Sequence, residues 1–107
     1  MRKLFTKSKT PRSVRTVIKH YGGDILLIYR MMTEKASREE ADIGDGIIYS
    51  ISVTKISFKG EKREIAVIHD ISRRAIDAKR IFDMTSRGLV TPSSAAEIIS
   101  DIIGIYL

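Results

Sequence analysis

Two runs of alternating residues, 47–59 and 63–71, limit the possible folds of this chain more than any other feature. In the first run every second residue from Ile47 to Val53 is apolar, and serines occupy the last two positions between them. This is the period of a strand with one buried face. Only residues 60–62, which begin with glycine, separate the runs. The spacing predicts a β-hairpin, because so short a connection excludes a crossover between parallel strands.

The alternation in the first run breaks towards its end, where Ile56 and Phe58 occupy the opposite phase. A strand with a period of two changes phase only by taking in an extra residue, so we predict a β-bulge near Thr54–Lys55. Another strand is predicted over 24–33, which is apolar at its start and has no helical period.

Three helices are predicted around these strands. Thr10–Pro11 is typical of a helix start and Gly22–Gly23 of a helix end, which predicts a helix over 10–21. A second helix begins after Ser72 and ends at Gly88, and a third begins at Thr91–Pro92. The order helix-strand-strand-strand-helix-helix predicts a two-layer α+β fold, in which a three-stranded antiparallel sheet packs against helices. We expect a basic flexible tail over 1–9 and a single α+β domain over 10–107.

The positive charge is concentrated at the N-terminus. Residues 1–20 contain seven Lys or Arg and no acid, whereas residues 21–107 contain twelve basic and thirteen acidic residues, so 7 − 1 gives the net +6. A cationic end of this kind suits an anionic partner, although a merely solvated basic surface has the same composition. On the predicted helix three of the cations share one face. The candidate polyanion-binding residues are Lys3, Lys7, Lys9, Arg12, Arg15 and Lys19.

The sequence contains no recognised DNA-binding motif, so these cations would contact the nucleic-acid backbone with little base specificity. Catalytic motifs are also absent, and we predict that the chain is not an enzyme. His69 and Asp70 are neighbours on a predicted strand, so they point to opposite faces and cannot form an orienting pair. His69 is therefore predicted to be a partly buried structural histidine.

No cofactor or metal is predicted. An acidic stretch is the nearest approach to a metal site, but it lacks the ligand spacing of an EF-hand and is expected to be solvated. Its acidic residues are Glu39, Glu40, Asp42 and Asp45.

The last predicted helix is unusually apolar. Its apolar residues repeat at helical spacing, and burial in the core accounts for most of them. Apolar residues that the core does not need, at Ile98, Ile102 and Tyr106, would form a homodimer interface, which is the second functional hypothesis.

The chain contains no Cys, Asn or Gln, and Ile outnumbers Leu by eighteen to five. Loss of heat-labile residues is typical of hyperthermophile proteins, so we expect a thermophilic archaeon or bacterium as the source. Absence of Cys excludes disulfides. The longest apolar run, 25–29, is far too short to span a membrane, and no secretory signal is present, so we expect a cytoplasmic protein.

Residues 46–74 resemble the C-terminal hairpin of PAS sensor domains. In that family a long strand and a return strand end in an Asp-Ile-Thr/Ser-like motif that leads into a helix, as Asp70-Ile71-Ser72 does here. The resemblance implies ligand sensing and dimerisation, but it transfers no ligand-binding residue. The leading prediction is thus a small non-enzymatic protein that contacts nucleic-acid backbone through a basic N-terminal helix. The alternative is a dimerising or PAS-like sensory module.

Overall fold

A computed structural model describes residues 12–35 and 46–107 of the chain. Their four strands form one antiparallel sheet in the order β1-β2-β3-β4, and two helices pack against it. The fold is α+β, as predicted. The elements are β1 (Arg12–Tyr21), β2 (Ile25–Lys35), β3 (Ile47–Ser57), β4 (Lys62–Ser72), α1 (Ala75–Arg87) and α2 (Pro92–Tyr106).

The predicted N-terminal helix is wrong, because residues 12–21 form the edge strand β1, and the sheet has four strands rather than three. Half of the ten residues of β1 are β-branched or aromatic, and such side chains pack better on a pleated sheet than on a helix. Gly22 has a φ of +67°, so the glycine pair closes a hairpin to β2 instead of ending a helix. Thr10–Pro11 lies outside the described residues.

The predicted bulge in β3 is also wrong, since pairing continues through Thr54 and Lys55 on both sides of the strand. The register shifts lie in the two edge strands instead. One separates Ser13 from Arg15 in β1, and the other places residues 69–71 of β4 opposite the single Ser50. An extra residue in a central strand would disturb two ladders of hydrogen bonds, whereas in an edge strand it disturbs one.

One face of the sheet, the helix face, carries the core. Leu27, Tyr29 and Met31 of β2 alternate onto this face, next to Ile51 and Val53 of β3, and all five are buried. Both helices pack on it through buried apolar residues. These are Ala78, Ile81 and Phe82 of α1 and Ala95, Ile99 and Ile102 of α2.

Tyr29 ties the sheet to the connection between the helices. Its side chain is fully buried, and its hydroxyl donates a 2.8 Å hydrogen bond to the carbonyl oxygen of Val90. Burial raises the pKa of Tyr29 to about 12, because a phenolate in this position would lose its hydration. The neighbouring Leu89 has a φ of +53°, which turns the chain from α1 towards α2.

The opposite side of the sheet, the open face, bears residues such as Ile18, Ile28, Thr54 and Ile65, which the strand register places in one row. Both helices pack on the other face, so Ile18 is 56% exposed and Ile65 is 54% exposed. Ser50, Ser52 and Thr54 of β3, by contrast, are buried on this face because longer side chains of β2 and β4 flank them. The open face is therefore partly apolar, and its exposed apolar residues lie on the outer strands rather than on β3.

Candidate functional site

Three of the predicted polyanion-binding residues lie on one face of β1. Arg12, Arg15 and Lys19 pair with Thr33, Met31 and Leu27, which are alternate residues of β2 on the helix face. The shared face predicted from helical spacing thus exists on a strand. Lys3, Lys7 and Lys9 lie outside the described residues.

The bulge in β1 brings Arg12 and Arg15 together. Residues three apart on a regular strand point to opposite faces, but the extra residue between Ser13 and Arg15 restores the common face. Lys19 follows four residues after Arg15, about 13 Å along the strand. Arg12 and Arg15 are exposed and Lys19 is half-buried. We call these three residues the cationic row.

Arg15 is held in place by α1. Its guanidinium lies 3.6 Å from a carboxylate oxygen of Asp83 and 5.6 Å from the centre of the Phe82 ring. Phe82 is buried, whereas 42% of the Arg15 side chain is exposed. The Phe82 ring therefore orients the guanidinium, and the Asp83 carboxylate partly neutralises its charge. Because part of the Arg15 side chain remains exposed, a second anion can still approach it.

The predicted dimer stripe on α2 is mostly part of the core. Ile102 is buried, and Ile98 is half-buried and packs against the core. Only Tyr106, which is 53% exposed, is available to a partner. The homodimer itself stays a hypothesis.

A second polar cluster surrounds His69, where the structure differs from the sequence prediction. His69 is exposed rather than partly buried, with 61% of its side chain accessible, and its Nδ1 lies 3.0 Å from a carboxylate oxygen of Glu34. The Ser50 hydroxyl contacts the same nitrogen at 3.3 Å. Glu34 is on β2 and His69 on β4, so they meet across β3 where the small Ser50 leaves room.

The register shift in β4 shapes this cluster. Asp70 has a φ of +55°, and its backbone N–H donates to the Ser50 hydroxyl at 3.1 Å. Its carboxylate accepts a 3.0 Å hydrogen bond from Arg73. The side chains of His69 and Asp70 thus pair with different residues, Glu34 and Arg73.

The cluster does not have the geometry of a nucleophilic triad. In such a triad one histidine nitrogen faces the carboxylate and the other faces the nucleophile. Here Glu34 and Ser50 both contact Nδ1 of His69, so Ser50 cannot transfer its proton to Nε2. Within 12–35 and 46–107, no group of three or more His, Cys, Asp or Glu could hold a metal ion. The acidic residues from Glu39 to Asp45 fall outside these ranges.

Comparison with known proteins places the chain in one family. A family model described as a family of unknown function, DUF6514, matches residues 8–104. The chain belongs to the DUF6514 family. No curated protein and no solved structure matches it. None of the helices described for the chain is long and apolar enough to cross a membrane.

Proposed function

We propose that this DUF6514 chain is a small non-enzymatic binding protein that contacts the phosphate backbone of nucleic acid through the cationic row. The observation that supports the proposal is the common face of Arg12, Arg15 and Lys19 on an edge strand that contains no acidic residue. Phosphate contacts supply most of the sequence-independent affinity of nucleic-acid-binding proteins. The same chemistry carries no sequence information, so binding is expected to be non-specific.

The spacing of the cationic row is compatible with a run of phosphates. From Arg12 to Lys19 the strand extends about 20 Å. A DNA strand presents one phosphate per ~3.4 Å of helix axis, which corresponds to about six phosphates over that length. Long Arg and Lys side chains can adjust to the exact positions, so the fixed strand needs to supply only direction and charge. Lys3, Lys7 and Lys9 would add further contacts.

Asp83 limits the charge of the row, because it shares the guanidinium of Arg15. A ligand phosphate would compete with this carboxylate for one partly exposed arginine. Removing the Asp83 charge should therefore strengthen polyanion binding. D101N, a change at an exposed acid on α2, alters the net charge equally and should strengthen binding less than D83N.

A catalytic function is the weaker interpretation. The Glu34–His69 contact orients an exposed histidine, but the hydroxyl next to it lies on the wrong nitrogen for nucleophilic attack. The non-enzymatic assignment remains part of this proposal, as do, on sequence grounds alone, a cytoplasmic location and a thermophilic archaeal or bacterial source.

The test is a binding titration that follows the fluorescence anisotropy of a labelled, random-sequence DNA duplex at low salt. The variant R12A/R15A/K19A should lose most of the affinity. K79A/R80A/R87A is the matched control, because it removes the same number of charges from exposed positions on α1 and should bind nearly as wild type. D83N should bind several-fold more tightly, because Arg15 no longer has to exchange the Asp83 carboxylate for a phosphate. Equal losses in the two triple variants would reduce the effect to net charge and refute the proposed site.

A further inference from the structure

Both outer strands of the sheet have one edge that pairs with no other described strand. Exposed edges of this length favour pairing with another strand unless charge or covering structure prevents it. β1 carries Arg12, Arg15 and Lys19 and no acid, so two copies of β1 would bring like charges together. β4 differs, because residues 62–70 contain two cations and two anions. Of the two edges, β4 is the one whose charge permits pairing with itself.

The symmetry of such a pair restricts its register. In an antiparallel pair, residues that face each other lie on the same side of the sheet. When the two strands are identical, one residue must therefore face its own copy, and the two-fold axis passes between those two copies. We name each register by that residue. An axis through Glu64 would place two Glu64 side chains opposite each other. This register brings like charges together, which is unfavourable directly across a pair of strands. An axis through Val67 would place Arg63 opposite Ile71 and would leave Ile65 facing the register shift at 69–71 rather than another apolar residue.

An axis through Ala66 gives complementary neighbours. Ile65 of each copy then lies opposite Val67 of the other, within the regular part of β4 that precedes the register shift at 69–71. Ile65 and Val67 are 54% and 57% exposed on the open face, so their pairing would cover part of two large apolar side chains per copy. An axis through Ile65 lacks this apolar pairing, because it places Arg63 opposite Val67.

We propose that a second copy of this chain docks antiparallel along β4, with its two-fold axis at Ala66, to form a continuous eight-stranded sheet. This interface differs from the α2 stripe of Ile98, Ile102 and Tyr106, of which only Tyr106 is exposed. It also leaves the cationic row at the two outer edges of the joined sheet. The proposal is independent of polyanion binding, since it rests on the charge and exposure of β4 alone.

Disulfide trapping tests the register directly, because the chain contains no natural cysteine. The full-length variant I65C/V67C should form a cross-linked dimer under mild oxidation, since residues facing each other on paired strands lie within disulfide distance. T16C/I18C is the matched control, with the same spacing on the open face of β1, and should remain largely uncross-linked. Equal cross-linking of the two variants would reflect collision alone and overturn the proposal.

Light scattering then measures the mass in solution of the protein without introduced cysteines. Wild type should have twice the 12.1 kDa mass of one chain. V67K should be monomeric, whereas I18K, a change at an equally exposed residue of the same face, should remain dimeric. Circular dichroism verifies that each variant is folded. A wild-type monomer overturns the proposal, and so does a dimer that survives V67K but is lost on Y106S, which would assign the interface to α2.

Discussion

Removing the hydroxyl of Tyr29 tests how the helical layer is fastened to the sheet. In Y29F the buried carbonyl of Val90 loses the donor that lies 2.8 Å away. The lost hydrogen bond and the unsatisfied carbonyl together should lower the free energy of unfolding by about 1–2 kcal/mol. For a domain of this size the corresponding fall in Tm is roughly 5–10 °C. The ring keeps its packing, so the change isolates the hydroxyl.

Tyr49 provides the matched control. It is a half-buried tyrosine on the neighbouring strand β3, packed against the same core, and its hydroxyl has no hydrogen bond within the described residues. Y49F should therefore change the free energy of unfolding by less than about 0.5 kcal/mol. Chemical denaturation of the three proteins by urea, followed by circular dichroism, measures these differences.

The same hydroxyl predicts a pH dependence. The pKa of Tyr29 is about 12 in the folded chain and about 10 when unfolded, so the contribution of its hydroxyl to the free energy of unfolding is fully present below pH 10. Between about pH 10 and 12 the unfolded chain releases this proton first, so the free energy of unfolding falls by about 2–3 kcal/mol. Y29F lacks this group, and other titrating groups affect both proteins alike. The advantage of wild type over Y29F should therefore shrink above pH 10 and vanish before about pH 12.

Two results would refute this reasoning. Y29F with the stability of wild type at neutral pH would show that the Tyr29–Val90 hydrogen bond contributes nothing. A difference between wild type and Y29F that stays constant from pH 9 to 12 would show that the Tyr29 phenol is not shielded from water.

Further predictions concern the β4 register shift and two glycines, all measured as free energies of unfolding in urea. S50A should lower the free energy of unfolding by about 1 kcal/mol, because the N–H of Asp70 loses its acceptor. S52A, at a buried serine that has no hydrogen-bond partner among the described residues, should lower it clearly less, and equal losses would contradict the role of Ser50. G22A should lower stability by about 1 kcal/mol because its φ of +67° disfavours a side chain. G104A should raise stability by roughly 0.5–1 kcal/mol, since a methyl group on α2 meets nothing within 4 Å. A gain in stability for G22A, or a loss for G104A, would contradict the backbone conformation described for these glycines.

Much of the fold was predictable because its strands and helices carry clear periods. The alternation from Ile47 to Val53 and the short connection at 60–62 predicted the hairpin of β3 and β4, and Pro92 marked the start of α2. Residues 12–21 were not predictable in this way. Their apolar positions fit a helix with a dry face as well as a strand, and pairing with β2 decides between them.

The candidate sites depended on backbone details that no local pattern reveals. Arg12 and Arg15 share a face of β1 only because an extra residue separates them, and a register shift in an edge strand leaves no periodic signal. Glu34 and His69 are thirty-five positions apart in sequence and lie on strands that are not neighbours in the sheet. They meet because Ser50 is small and β4 takes up extra residues beside it.

The salt dependence of DNA binding tests the cationic row most directly. Each phosphate contact contributes about −0.9 to the slope of log K against log salt on duplex DNA. The slope for R12A/R15A/K19A should therefore be shallower than that of wild type by about 2.7, while K79A/R80A/R87A keeps a slope close to wild type. A wild-type protein that does not bind at about 50 mM salt, or one whose slope R12A/R15A/K19A leaves unchanged, would contradict a function for the cationic row.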